Sequence, residues 1–133
     1  MGSSEADHEE ARVLLLAARK DWQALGGMGN SSIFAEEIFG FHAQQAVEKA
    51  LKAWLALSGV EYPRTHDISL LLSVLRVQGH AVDEYYDLLE FNAYAVQFRY
   101  EAFTEIGEPL RRRKVTQRVG ALLRHVEDLV DPL

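Results

Sequence analysis

Apolar residues recur every three or four positions along almost the whole chain, which is the pattern of amphipathic helices. Five segments show it, at about residues 5–25, 33–58, 65–78, 82–97 and 114–130. We expect Ser31 or Ser32 to cap the second helix and Thr65 the third, because short hydroxyl side chains accept hydrogen bonds from free backbone amides. The sequence therefore predicts an all-α domain, an antiparallel up-and-down bundle of about five helices.

The second helix is apolar on most of its circumference, which is typical of a helix at the centre of a bundle. One of its stripes consists of Ala35, Phe39, Ala43, Ala46, Ala50, Ala53 and Leu57. Another stripe begins apolar and turns polar at His42, Gln45, Lys49 and Lys52. Two interpretations stay open, because polar groups on a buried helix need partners. Either Gln45 bonds to a facing carbonyl while Lys49 reaches the rim, or the stripe forms a half-buried anion or dimer contact.

The first helix carries a second apolar face behind the stripe that faces the core. This face contains Val13, Leu16 and Ala17. A bundle of this size has no further core that could receive it, and contiguous exposed apolar patches usually mark an interface. We therefore predict that the chain forms a homodimer.

Composition and charge narrow the class of protein. The 133 residues form one domain over 1–133, with residues 1–4 expected to be disordered or a cloning remnant. The net charge is −6, whereas general binders of polyanions are basic. The longest apolar run, Val13–Ala18, is far shorter than the roughly 20 residues of a membrane span, and the N-terminus is too polar for a signal peptide. We expect a cytoplasmic protein without membrane contact.

Metal and thiol chemistry find little support in the sequence. The chain has no cysteine, which excludes disulfides, thiolate nucleophiles and zinc-thiolate sites. A carboxylate di-metal bundle needs Glu-x-x-His pairs on two inward-facing helices, and only Glu5 and His8 have that spacing. We expect neither a metal nor a cofactor.

Basic residues gather where the predicted helices begin or end. Arg64 and His66 lie at the N-terminus of the third helix, where either simple capping or anion binding explains the segment. Arg99 closes the fourth helix and either pairs with a carboxylate or helix carbonyls or is held ready for a phosphate. The run Arg111–Lys114, with Arg118 one turn further on, is either solvated surface or a site for an acidic partner or a phosphate chain.

Three short motifs follow one another on this helical pattern. They are Phe41–Lys52 (FHAQQAVEKALK), Pro63–Ile68 (PRTHDI) with Leu71 following, and Tyr94 before Arg99 and Tyr100. Together they resemble the HEPN domain family (higher eukaryotes and prokaryotes nucleotide-binding) over nearly the whole chain. The resemblance implies a helical bundle that usually dimerises. For small prokaryotic members it also implies a minimal nucleotidyltransferase as the partner in a toxin–antitoxin type pair.

The chain departs from the pattern of those HEPN members that are RNases. In them an Arg steadies the phosphate, and a His about four to six residues later acts on the 2′-hydroxyl or the leaving oxygen. No His follows Arg99 at that distance, and Glu101 replaces the proline that one branch carries after the tyrosine. Arg118 and His125 have the spacing, but their helix does not match the family's catalytic turn. We therefore predict no catalytic residue and lean against an enzyme.

The preferred interpretation is a non-enzymatic HEPN partner protein that binds a minimal nucleotidyltransferase, with a nucleotide as a candidate ligand and no RNA binding expected. Two alternatives stay open: a metal-independent RNase toxin with a non-standard site, and a structural dimerisation module with a vestigial pocket. The candidate ligand-binding residues are Gln45, Lys49, Arg64, His66, Arg99, Tyr100, Arg111, Arg112, Arg113 and Lys114. We expect the last four of these to form a mobile lid.

Overall fold

A computed structural model of the chain describes residues 4–95 and 109–132. Within these ranges the chain forms four α-helices and one 3₁₀ helix, and no strand. In chain order they are α1 (Glu5–Gly27), α2 (Glu36–Leu57), α3 (Ile68–Val77), the 3₁₀ helix (Asp83–Tyr94) and α4 (Arg112–Val130). The predicted all-α bundle of about five helices is confirmed.

Contacts at the two ends of α1 show the topology. Near its start, Glu10 accepts a hydrogen bond of 2.6 Å from the hydroxyl of Tyr62, which lies just beyond the end of α2. Past its end, the carbonyl of Met28 accepts a hydrogen bond of 2.8 Å from Arg112, the first residue of α4. Hence α1 runs antiparallel to both α2 and α4.

The centre of the bundle is α2, as its apolar circumference predicts. Five residues of its alanine-rich stripe have no exposed surface, namely Phe39, Ala43, Ala46, Ala50 and Ala53. Small side chains allow neighbouring helices to approach closely, and removing apolar surface from water is the main stabilising term in such a core. This packing fixes the orientation of α2 and therefore of the polar residues beside the stripe.

The fourth predicted helix is a 3₁₀ helix rather than an α-helix. Its buried residues stand at every third position and are Tyr85, Leu88, Phe91 and Tyr94. A 3₁₀ helix has three residues per turn, so side chains three apart share one face. The segment was predicted as an α-helix, whose buried stripe would also contain Leu89 and Asn92, but both of these residues are only half-buried. Residues 96 and 97, where this helix was expected to end, lie outside the described residues.

The expected helix caps also need correction. Asp67, and not Thr65, caps α3, because its carboxylate accepts a hydrogen bond of 2.9 Å from the backbone amide of Ser69. The Thr65 hydroxyl instead accepts from the amide of Asp67 at 3.0 Å. No serine caps α2, which begins after Ala35 without a side-chain cap. Ser4, in the segment expected to be disordered, caps α1.

The second apolar face of α1, which contains Val13 and Leu16, is exposed to solvent as predicted. Val13 is 62% exposed and Leu16 is 56% exposed. The homodimer that we expect from this face remains a prediction, because the structure contains one chain.

No helix in the described parts of the chain is long and apolar enough to cross a membrane.

Candidate functional site

A buried carboxylate on α1 binds two basic side chains of α2. Asp21 is only 9% exposed. Its Oδ1 lies 2.8 Å from Nδ1 of His42, and its Oδ2 accepts a hydrogen bond of 2.7 Å from Nζ of Lys49. Charge-assisted hydrogen bonds to both oxygens offset the cost of burying the carboxylate. The positive charge of Lys49 is therefore balanced by Asp21 within the fold.

A second buried carboxylate, Glu48 of α2, collects three donors. Its Oε1 lies 2.9 Å from Nε2 of Gln44 and 2.8 Å from Nδ1 of His66, and its Oε2 lies 2.8 Å from Nζ of Lys52. Burial by itself raises the pKa of Glu48, but hydrogen bonds from Lys52, Gln44 and His66 outweigh it and hold the pKa below its ordinary value. Glu48 is thus charged and anchors the turn before α3.

The same turn is joined to the 3₁₀ helix through Asn92. The side-chain oxygen of Asn92 accepts a hydrogen bond of 2.8 Å from the amide of Ile68, and its nitrogen donates to Asp67 at 2.9 Å. Hydrogen bonds from Ser69 and Asn92 hold the pKa of Asp67 below its ordinary value. The motif PRTHDI therefore links α2, α3 and the 3₁₀ helix.

Gln44, and not Gln45, reaches the facing carbonyl. Nε2 of Gln44 donates to the backbone oxygen of His66 at 3.0 Å, and Gln44 has no exposed surface. Gln45 donates instead to Oε1 of Gln44 at 2.7 Å. Of the two interpretations left open for this stripe, the structural network describes the observed contacts, with the roles of the two glutamines exchanged.

Arg112 is fixed in the fold, so the expectation that it belongs to a mobile lid is wrong. Its guanidinium donates to the carbonyls of Met28 at 2.8 Å and Phe34 at 2.7 Å. It lies 3.6 Å from Glu36 and stacks 4.9 Å from the ring centre of Phe39. Only 8% of the side chain is exposed. These partners offset the unfavourable charge of an Arg in the first turn of a helix.

The neighbours of Arg112 border a cavity of about 260 Å³ at the start of α4. Arg111 and Lys114 line it from exposed positions, together with Arg118. Arg118 is already paired, at 2.7 Å with Asp87 and at 2.9 Å with Glu90. Arg111 and Lys114 are therefore the cations of this cavity that have no ion-pair partner among the described residues.

Arg118 and His125 have the sequence spacing of the RNase motif, but they contact different groups of the fold. The His125 ring packs with its centre 4.8 Å from that of Trp54 and 5.9 Å from that of Tyr85. Arg118 instead forms ion pairs with two carboxylates of the 3₁₀ helix. Each of the two residues therefore has a structural role of its own.

The candidate ligand-binding residues fall in two separate places. Those around the middle of α2 and the turn before α3 are Gln45, Lys49, Arg64 and His66. The run Arg111–Lys114 instead lies at the start of α4, next to the first residue of α2, since the amide of Leu110 donates to Glu36. Glu36 and Glu48 are about 18 Å apart along the helix axis. Arg99 and Tyr100 lie outside the described residues.

Sequence reasoning missed the two acids that organise the first of these places. Asp21 stands on the core-facing stripe of α1, between Ala18 and Leu25, and Glu48 stands among the buried residues of α2. An acid on an apolar stripe needs a buried partner, which is the signal that could have found both.

Two tyrosines of the fold have raised pKa values. A hydrogen bond to Glu10 raises the pKa of Tyr62 to about 12. Burial raises the pKa of Tyr94, the tyrosine of the third motif, to about 12. In the described parts of the chain, no three His, Asp or Glu side chains stand close enough to hold a metal ion.

Comparison with known proteins shows to which family the chain belongs. A model of the HEPN domain matches residues 11–131. Comparisons with curated proteins and with solved structures gave no match. The matched range spans most of α1, all of α2, α3 and α4, and the two carboxylate clusters, which is nearly the whole chain. The chain therefore belongs to the HEPN domain family.

Proposed function

We propose that this chain is a non-enzymatic HEPN protein that acts by binding another protein, a minimal nucleotidyltransferase, in a toxin–antitoxin type pair. The non-enzymatic part rests on how the fold uses its histidines. The identity of the partner rests on family membership, since small prokaryotic HEPN proteins are commonly encoded beside such enzymes.

All five histidines of the chain lie in its described parts, and each contacts another group of the fold. His42 and His66 lie against buried carboxylates. Nε2 of His80 is 3.1 Å from the hydroxyl of Ser58, His125 packs on aromatic rings, and His8 bonds at the start of α1. Histidine is the side chain best suited to general acid–base chemistry near neutral pH. Its use here as a structural group supports a protein without catalytic activity.

One observation favours the alternative of an RNase with a non-standard site. Glu48 fixes Nδ1 of His66, whose side chain is 61% exposed. A carboxylate that orients an imidazole is a familiar arrangement for a general base. Arg64, two residues before, is exposed and could meet a phosphate.

We expect the purified chain to leave RNA intact. The test is incubation with a mixed RNA pool, with and without magnesium, of the unchanged chain and of the variants His66→Ala, His125→Ala and Arg99→Ala. The variant His8→Ala, at the exposed start of α1, is the matched control. Cleavage that His66→Ala abolishes and His8→Ala retains would contradict the proposal and assign an RNase site to the Glu48–His66 pair.

We expect the partner to co-purify with the chain. When the tagged chain is purified from the cells that encode it, a small nucleotidyltransferase should elute with it in a near-stoichiometric amount in size-exclusion chromatography. The buffer contains 0.5 M salt, where the screening length of about 3–5 Å suppresses non-specific charge contacts. Mass spectrometry identifies it. Recovery of the chain without any nucleotidyltransferase would overturn this part of the proposal.

A nucleotide is the second ligand that family membership suggests. Lys49 and His66 already bind carboxylates, so a phosphate would have to displace a buried acid to reach them. Arg111 and Lys114 are exposed beside a cavity, and charged side chains of this kind bind phosphate groups readily. These two observations support the start of α4 as the proposed nucleotide site.

A further inference from the structure

A second cavity lies on the other side of the first turns of α4, between that helix and the end of α1. Its volume is about 290 Å³. The residues that line it are Leu25, Gly26, Gly29, Arg112, Arg113, Thr116 and Gln117. The four lining residues of α4 share one side of the helix, and Arg111 and Lys114 lie on the opposite side. This cavity is therefore separate from the one proposed for a nucleotide.

Most of the wall of this cavity has no polar group left for a ligand. The guanidinium of Arg112 donates to two backbone carbonyls, and the hydroxyl of Thr116 donates to the carbonyl of Arg112 at 2.8 Å. The side chains of Arg113 and Gln117 are exposed and have no hydrogen-bond or ion-pair partner among the described residues. The cavity is thus largely apolar, with one cation and one amide that a ligand can reach.

Two glycines keep the cavity open. A Cβ at Gly26 or at Gly29 would meet no atom within 4 Å. Neither residue has a positive φ, so the backbone does not require glycine at these positions. The missing side chains therefore leave room, and pockets of this kind receive the large apolar anchors of protein interfaces.

The surface around the cavity is basic, although the chain as a whole is acidic. Residues 111–118 contain five cations and no acid, whereas the net charge of the chain is −6. Arg112 and Arg118 have carboxylate partners. The cations without an ion-pair partner among the described residues are Arg111, Arg113 and Lys114. Neighbouring cations at a helix start repel one another and oppose the helix dipole, so carboxylates from a partner would relieve both effects.

We propose that this cavity binds an acidic segment of a partner polypeptide, which inserts one large apolar side chain between α1 and α4 and sets flanking carboxylates near Arg113. An apolar centre with a charged rim is the usual division of a protein interface. A phosphate group would need several convergent donors, and Arg113 is the one free cation that lines this cavity among the described residues. The inference rests on the proposed function in that the partner is a protein, and it holds for any protein that presents such a segment.

Labelled peptides test this occupant. The probe is a capped, fluorescein-labelled peptide with one phenylalanine between two pairs of glutamates, and fluorescence anisotropy measures its binding to the whole chain. Replacing the phenylalanine by alanine, or all glutamates by glutamines, should weaken binding about tenfold in each case. Equal binding of the three peptides, or no binding of the first, overturns the proposal.

Two adjacent cations provide a matched pair of variants. Arg113→Glu and Lys114→Glu change the charge equally at exposed positions, but only Arg113 lines this cavity. Arg113→Glu should weaken binding of the first peptide about tenfold, and Lys114→Glu by less than about threefold, because salt at 0.15 M screens charges beyond about 8 Å. Equal effects would show a general attraction to the basic run and overturn the proposal.

A third variant tests the apolar part of the cavity. Gly26→Leu places a side chain in the open space and should remove the preference for phenylalanine over alanine, with an unchanged circular dichroism spectrum. A retained preference overturns the proposal, and so does displacement of the peptide by ATP, which would assign the cavity to a phosphate ligand. Peptide binding without a co-purifying nucleotidyltransferase overturns only the identity of the partner, whereas co-purification without peptide binding overturns only this inference.

Discussion

Replacing Glu48 by alanine should lower the free energy of unfolding by about 3 kcal/mol, because a buried ion pair loses one partner and leaves the other without compensation. The amide of Gln44 and the ammonium of Lys52 lose an acceptor in a place where water has little access. The turn before α3 also loses the contact that holds His66. Urea unfolding followed by circular dichroism measures the change.

Two further variants make this result specific. Glu61→Ala removes an exposed carboxylate in the loop after α2 and should change the free energy of unfolding by less than about 0.5 kcal/mol. Glu48→Gln keeps the shape and an acceptor oxygen but removes the charge, and should fall between the two. An equal effect of Glu48→Ala and Glu61→Ala would show that the buried network contributes nothing to stability.

The pH dependence of the same variants follows from the sign of the shift. The pKa of Glu48 in the folded chain lies below its ordinary value of 4.5. The stabilisation from the charged carboxylate is therefore complete above that ordinary value and is lost as the pH falls through the folded pKa. The stability of the unchanged chain should decline in this acidic range, and Glu48→Gln should remove that part of the decline.

Gly40→Ala should destabilise the fold by about 1–3 kcal/mol through overpacking. A Cβ at this position would lie 2.3 Å from Cδ1 and 2.5 Å from Cγ of Tyr94, so the ring or the helix must move. Tyr94 is only 2% exposed and has little room to do so. The effect opposes the gain of about 1 kcal/mol that alanine normally brings inside a helix. Thermal and urea unfolding of the variant give the net value.

The matched control for this prediction is Gly26→Ala, near the end of α1. A Cβ there meets no atom within 4 Å. This variant should be neutral or more stable by up to about 1 kcal/mol, from helix propensity alone. A stabilised Gly40→Ala variant would contradict the close packing of the 3₁₀ helix on α2.

The long helices were predictable because their causes are local. The apolar stripe of α1 and the alanine-rich stripe of α2 recur at the spacing of an α-helix, and the observed helices agree with the expected ones within about three residues at each end. Capping was less predictable. Thr65 and Asp67 each accept a backbone amide near the start of α3, from Asp67 and Ser69 respectively. The contact of Asp67 with Asn92, 25 residues away, is not visible in the local sequence.

The sequence by itself determined the class of fold, the central place of α2 and the HEPN family motifs, because helix spacing and motif order are properties of neighbouring residues. The tertiary structure alone decided the partners. Lys49 meets Asp21 across 28 residues, and Arg112 meets Met28 across 84. It also decided that the segment Asp83–Tyr94 is a 3₁₀ helix, because every third side chain there is buried. Periodicity shows which side of a helix is apolar, but only packing shows which charged group of another helix lies opposite.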